Sequence, residues 1–112
     1  MMEIYTNQAN WHENLQLAES TLRAALAASP ADIDLLTCVG AVLCDQARYP
    51  EALAALTAAL QLGSRDANTY VNLGVALLNS GKHKEAKSMF GRAGPLAAST
   101  LTWTAYFDPM AH

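Results

Sequence analysis

Two thiols and three imidazoles carry the most reactive chemistry in this chain, and their spacing decides whether it is usable. Cys38 and Cys44 lie six residues apart. On one helix that separation is roughly 9 Å of rise. A disulfide needs its Cα atoms about 4.4–6.8 Å apart, so the two cannot bridge. They read as buried or half-buried thiols of a reducing compartment, and no C-x-x-C metal spacing is present. The histidines are His12, His83 and His112. His83 falls at a turn among lysines, His12 at the start of a helix and His112 at the C-terminus. No two of them have metal-ligand spacing on one helix. Trp11-His12-Glu13 looks chemical, but a helix start with an acidic first turn accounts for it. Ser, Asp and His do not assemble into a triad, and there is no glycine-rich phosphate loop. These residues argue against an enzyme and imply no cofactor and no metal.

The bulk composition agrees. The 112 residues suit one domain with one core. At 52% hydrophobic and 15% charged the chain is apolar, yet every apolar stretch is broken by a polar residue before the ~18 to 20 residues of a membrane span. Membrane insertion is not expected. Met1-Met2-Glu3-Ile4-Tyr5 lacks a basic region followed by an apolar core, so no secretory signal is expected and the cytoplasm is the expected location. A net charge of −3 gives nucleic acid nothing to hold.

Alanine and leucine dominate, and apolar positions recur at three and four rather than two, which favours helices. Breakers cut the chain into short pieces. Ser29-Pro30 ends one run, and Tyr49-Pro50 separates two more with Pro50 suited to a first helical position. Gly63 serves as a left-handed C-cap, followed by Ser64 or Asp66 as N-cap. Ser80-Gly81 and Gly94-Pro95 end the next two. The predicted helices are Trp11–Ala28, Ile33–Ala47, Pro50–Leu62, Ala67–Asn79, Lys84–Ala93 and Leu96–Tyr106. Helices this short are marginal alone and must be stabilised by packing.

Sliding the chain by 34 residues brings the pieces into line. Leu36 falls on Tyr70, Val39 on Leu73, Gly40 on Gly74 and Leu43 on Leu77. Ala52 then falls on Ala86, Leu56 on Phe90 and Ala59 on Ala93. Small meets small and large meets large. Each unit is expected to be two antiparallel helices. Gly40 and Gly74 mark where the paired helices approach closely, with Ala52 and Ala86 opposite. Leu56 and Phe90 fill the interface, and Ala59 and Ala93 leave room for the next unit.

This pattern resembles the tetratricopeptide repeat family, whose units place a large residue, Leu-Gly and Tyr or Leu on a first helix, then Ala, Phe or Leu, and Ala on a second. The resemblance implies an all-α solenoid of antiparallel helix pairs with about two and a half repeats. The full units are Ile33–Asp66 and Ala67–Thr100. Both depart from the family at the terminal proline, where Ser64 and Ala98 stand. Ala18, Leu22, Ala25 and Pro30 match the second helix of a preceding unit, so residues 1–32 read as a half or degenerate repeat, with Met1–Asn10 irregular or a poor first helix. A piece of a longer array would show the same half-unit. The tail, within residues 96–112, resembles the helix that caps such arrays.

In the family, six first-helix positions per unit face a concave groove. Carried over, they are Asp34, Thr37, Cys38, Ala41, Cys44 and Asp45, then Asn68, Val71, Asn72, Val75, Leu78 and Asn79. Relatives that clamp the acidic tails of large heat-shock chaperones carry Lys, Arg and Asn there. Only Asn72 matches, so that ligand is rejected. The asparagine ladder of sugar-transferring relatives is also missing, since Cys38 replaces one member. What remains is a small-residue and apolar groove of Ala41, Cys44, Val71, Val75 and Leu78, with Thr37 and polar margins at Asn68, Asn72 and Asn79. Such a groove suits an apolar peptide or helix of another protein. Three readings follow: a scaffold or small co-chaperone; a self-assembling module that covers its open edges in homo-oligomers; and a small chaperone like those of bacterial type III secretion, by size and fold class only. The chain's own Trp103, Tyr106 and Phe107 folding back would fill the groove from within.

Overall fold

The computed structural model describes the backbone of residues 2–99 and the side chains of residue 11 and residues 13–99. Within these residues lie five helices: α1 (Met2–Ala28), α2 (Ile33–Asp45), α3 (Tyr49–Gln61), α4 (Ala67–Asn79) and α5 (His83–Ala93). α2 pairs with α3 and α4 with α5, and α4 also packs on α2 and α3. The all-α solenoid that the family resemblance implies is the fold observed.

Why the chain turns where it does is visible in its hydrogen bonds. Asp32 and Asp66, one period apart, cap α2 and α4, accepting from the backbone N–H of Leu35 at 3.1 Å and of Asn68 at 3.0 Å. Between paired helices the chain reverses through a left-handed residue, Ala47 (φ 57°) in one unit and Gly81 (φ 81°) in the next. In both, the following N–H reaches back five residues, from Arg48 to the Leu43 carbonyl and from Lys82 to the Leu77 carbonyl, each at 2.9 Å. Gly81 adopts that conformation freely, whereas Ala47 is strained there. Pro50 helps by starting α3 directly afterwards.

One period before Ala47 stands Glu13, and here the fold departs from expectation. α1 does not begin at Trp11. It runs unbroken from Met2, with Trp11 and His12 in its interior. No Gly or Pro occurs between residues 2 and 28, and at Gln16 there is no counterpart of Pro50. The turn of the first unit therefore fails, and one long helix replaces a helix pair. At the other end, Leu96–Ser99 is not helical, and its backbone ties to the start of α4 instead. The remainder of the predicted capping helix lies outside the described residues.

α2 is the centre. Its residues Leu36 to Cys44 are all buried, nine in a row, because α1, α3 and α4 all pack on it. Leu22 and Leu26 of α1 meet the core built around Val39, Leu43, Leu56, Leu73 and Leu77. A side chain added at Gly40 would run into Leu56, and one added at Gly74 would stand 2.6 Å from the Phe90 ring. α1 is further tied to the α2–α3 turn by Glu19, which accepts from Arg23 at 2.8 Å, Arg48 at 2.6 Å and Gln46 at 3.0 Å. Those bonds, Arg23 foremost, hold its carboxyl down to about 2, against a burial cost that pushes the other way.

Two outcomes are expected. Gly40→Ala and Gly74→Ala should each destabilise by overpacking, on the order of 1–3 kcal/mol. Gly40→Ala should cost more, because Leu56 is fully buried whereas the Phe90 ring is 38% exposed and can swing aside. Equal melts for parent and Gly40→Ala would show that the pair is not in close contact. For Glu19, a lowered folded-state value means its stabilisation is present above the ordinary carboxyl value of 4.5 and is lost as pH falls through about 2. The stability gap between parent and Glu19→Gln, read from urea melts, should be full at neutral pH and close across that window. A gap that does not vary with pH would contradict this.

Candidate functional site

The twelve first-helix positions divide into two groups that the sequence treated alike. Thr37, Ala41 and Cys44 lie on one face of α2, and Val71, Val75 and Leu78 are the same positions of α4 one period later. On α2 the face is closed. Thr37 is 1% exposed, Ala41 2% and Cys44 7%. Thr37 Oγ1 stands 2.7 Å from Thr69 Oγ1 on α4, which is in turn 2.7 Å from Ser64 Oγ. The Cys44 thiol donates to the Asn72 carbonyl at 3.6 Å. α4 has taken the place of a ligand, so Thr37, Ala41 and Cys44 leave the candidate surface. Cys38, beside them, is buried too.

On α4 the same face is open. Val71 is 41% exposed, Leu78 44% exposed, and Val75 half-buried between them. Their spacing of four and three sets them in one stripe about two turns long. The asparagines around the stripe are tied to backbone. Asn72, buried, donates to the Asn68 carbonyl at 2.8 Å. Asn79 donates to the Val75 carbonyl at 2.8 Å. Asn68 donates to the Ser99 carbonyl at 3.4 Å. Asp34 is half-buried and Asp45 exposed. Burial and the neighbouring charges of Asp32 and Asp66 raise the Asp34 carboxyl above its usual value. Between α4 and α5, Arg92 lies over the Tyr70 ring, 4.9 Å from its centre, and its guanidinium donates to the Tyr70 hydroxyl at 3.3 Å.

A second concavity was not foreseen. It holds about 380 Å³ between α1 and α3, over a floor of Leu36, Val39 and Leu43, with Leu26 and Ala58 as walls. Arg23 and Glu51 pair across its rim at 3.4 Å. Its signal in the sequence is Ala54-Ala55 and Ala58, small residues where α3 faces α1.

Both thiols are free and buried. Burial pushes both Cys38 and Cys44 up to about 11, helped at Cys38 by Asp34, Asp66 and Asp32, and at Cys44 by Asp45. Among the described residues no three His, Cys, Asp or Glu side chains could hold a metal ion. No described helix is long and apolar enough to cross a membrane.

Paired helices stacked through their first members, with one first-helix face closed by the next unit and one left open, define a helical-repeat solenoid. The tetratricopeptide repeat family model matches residues 32–97, more than half of the chain, and the chain belongs to that family. Comparison with curated proteins finds no match. Tetratricopeptide repeats generally mediate protein–protein interaction and are not typically enzymes.

Both cysteines should resist iodoacetamide at pH 8 in the folded chain and both should react at once in urea, without reductant. Two adducts missing in urea would mean a disulfide and would defeat the α2 assignment. Rapid labelling of the folded chain would contradict the burial.

Proposed function

We propose that this chain is a protein-interaction module, a scaffold or small chaperone, that takes an apolar helix of a partner on the open face of α4. Val71, Val75 and Leu78 make the contact, with Asn68 and Asn79 at its ends. One observation carries this reading. The equivalent face of α2, built from Thr37, Ala41 and Cys44, already packs against a helix, α4, with its side chains sealed from water. A surface whose copy in the same chain packs a helix is shaped to pack another. Contiguous exposed apolar surface is a mark of interaction sites, and an apolar centre with polar ends is the usual anatomy of one.

Val75 is the residue to test. A glutamate there would be desolvated against a docked helix without a partner charge, at a cost of about 3 kcal/mol, or roughly a hundredfold in affinity. The fold should survive, because Val75 is half-buried and stands outside the buried core. A photo-crosslinker placed at Leu78 should yield an adduct with another polypeptide, and Val75→Glu should remove that adduct while the helical circular-dichroism signal persists. A crosslinker at the exposed Thr57 of α3 should yield none. An adduct of twice the chain mass would assign the face to a second copy and favour self-assembly. Adducts equal at Leu78 and Thr57, or unchanged by Val75→Glu, would move the site elsewhere. Unfolding by Val75→Glu would place Val75 in the core.

A further inference from the structure

The hollow between α1 and α3 opens where the first repeat carries small side chains and the second carries large ones. We propose that it is a binding site for an unbranched aliphatic carboxylate, whose chain lies over Val39 between the two helices and whose head bonds Arg23. It is separate from the α4 face.

The next unit treats the same space differently. Advancing the lining residues by 34 turns the floor of Leu36, Val39 and Leu43 into Tyr70, Leu73 and Leu77, and the α3 wall of Ala55 and Ala58 into Met89 and Arg92. There the chain supplies its own filling. The Arg92 guanidinium reaches from wall to floor, 4.9 Å from the centre of the Tyr70 ring. Met89, unbranched and half-buried, packs against the core. In the first unit both long side chains are cut back to a methyl group, and about 380 Å³ is left open. Leu36 in place of Tyr70 removes the ring over which a cation could sit, so the floor suits aliphatic groups. Water has little to hold it there, because every side chain lining the hollow is aliphatic except Arg23 and Glu51.

Those two residues set the head group. Glu19 meets Gln46 and Arg48 at the α2–α3 turn, so Arg23, one turn further along α1, and Glu51, at the start of α3, mark the Leu43 end of the floor. From Leu43 to Leu36 is about 10 Å along α2, which suits a chain better than a compact group. Glu51 is held through both oxygens by Arg48, at 3.0 and 2.8 Å. Arg23 gives its Nε to Glu19 at 2.8 Å and its Nη2 to Glu51 at 3.4 Å, the longest of the four ion pairs here. Its Nη1 bonds nothing among the described residues. A carboxylate can therefore take Arg23 through two parallel bonds while Glu51 keeps Arg48.

Octanoate below its micellar concentration is the probe, with butanoate and octylamine beside it, followed by amide NMR of the full chain. Octanoate should give saturable shifts centred on Leu36, Ala55 and Ala58. Butanoate should bind more than about tenfold more weakly, since each methylene taken out of water is worth roughly fourfold. Octylamine should bind several-fold more weakly, and Arg23→Gln should erase the difference between the two heads. Ala55→Met, which gives the wall the side chain of Met89, should abolish octanoate binding with the helical signal intact. Ala58→Met should do the same, and Val75→Glu should leave binding unchanged. Shifts that do not saturate, or that centre on Val71 to Leu78, would overturn the proposal. So would equal binding of octanoate and octylamine, or octanoate binding that survives both Ala55→Met and Ala58→Met.

Discussion

Leu56 and Phe90 press into the space that a side chain would occupy at Gly40 and Gly74, and the rest of the molecule follows from that approach. It sets the distance between the helices of each pair. It thereby fixes the groove into which the neighbouring unit's first helix fits, with Ala59 and Ala93 buried beside it. Each helix is too short to be stable alone, so stability accumulates only through neighbours, as expected of a stack in which each unit touches the next. α2 has neighbours on three sides and is sealed over nine residues. α5 packs chiefly on α4, and Phe90 remains 38% exposed.

The face that Thr37, Ala41 and Cys44 present to α4 is presented again by Val71, Val75 and Leu78, with nothing in the described helices upon it. No group of unusual reactivity is needed. The perturbed ionisations serve packing: Glu19 binds α1 to the α2–α3 turn, and the raised thiols of Cys38 and Cys44 record burial. The binding proposed for the α4 stripe asks only for shape and exposed apolar side chains, and Val71 and Leu78 supply the latter.

Much of the fold was legible because the period pairs residues of matched size. Gly40 with Gly74 and Ala52 with Ala86 fixed the helix pairs and their order. The misses have physical causes. α1 was read as starting at Trp11, with Glu13 in an acidic first turn, but Glu13 stands where Ala47 and Gly81 go left-handed, and nothing near it breaks a helix. Leu96–Ser99 was read as helical although its backbone is drawn to the capping Asp66 and to Ala67. The groove was half legible. The family resemblance put twelve first-helix positions on one surface, but which of them a neighbouring helix covers is a matter of packing: Thr37, Cys38, Ala41 and Cys44 are buried, whereas Val71 and Leu78 are exposed. The pocket between α1 and α3 was missed because its walls lie in different units.

The central claim is that α4 presents, uncovered by the described helices, the face that α2 has closed with α4. Residue-by-residue amide hydrogen exchange on the full chain tests it by comparing positions one period apart, since protection tracks the free energy of opening. The account predicts that Thr37, Ala41 and Cys44 exchange only through global unfolding, each more slowly than its partner among Val71, Val75 and Leu78. Equal protection within the three pairs, or slower exchange on α4, would contradict it.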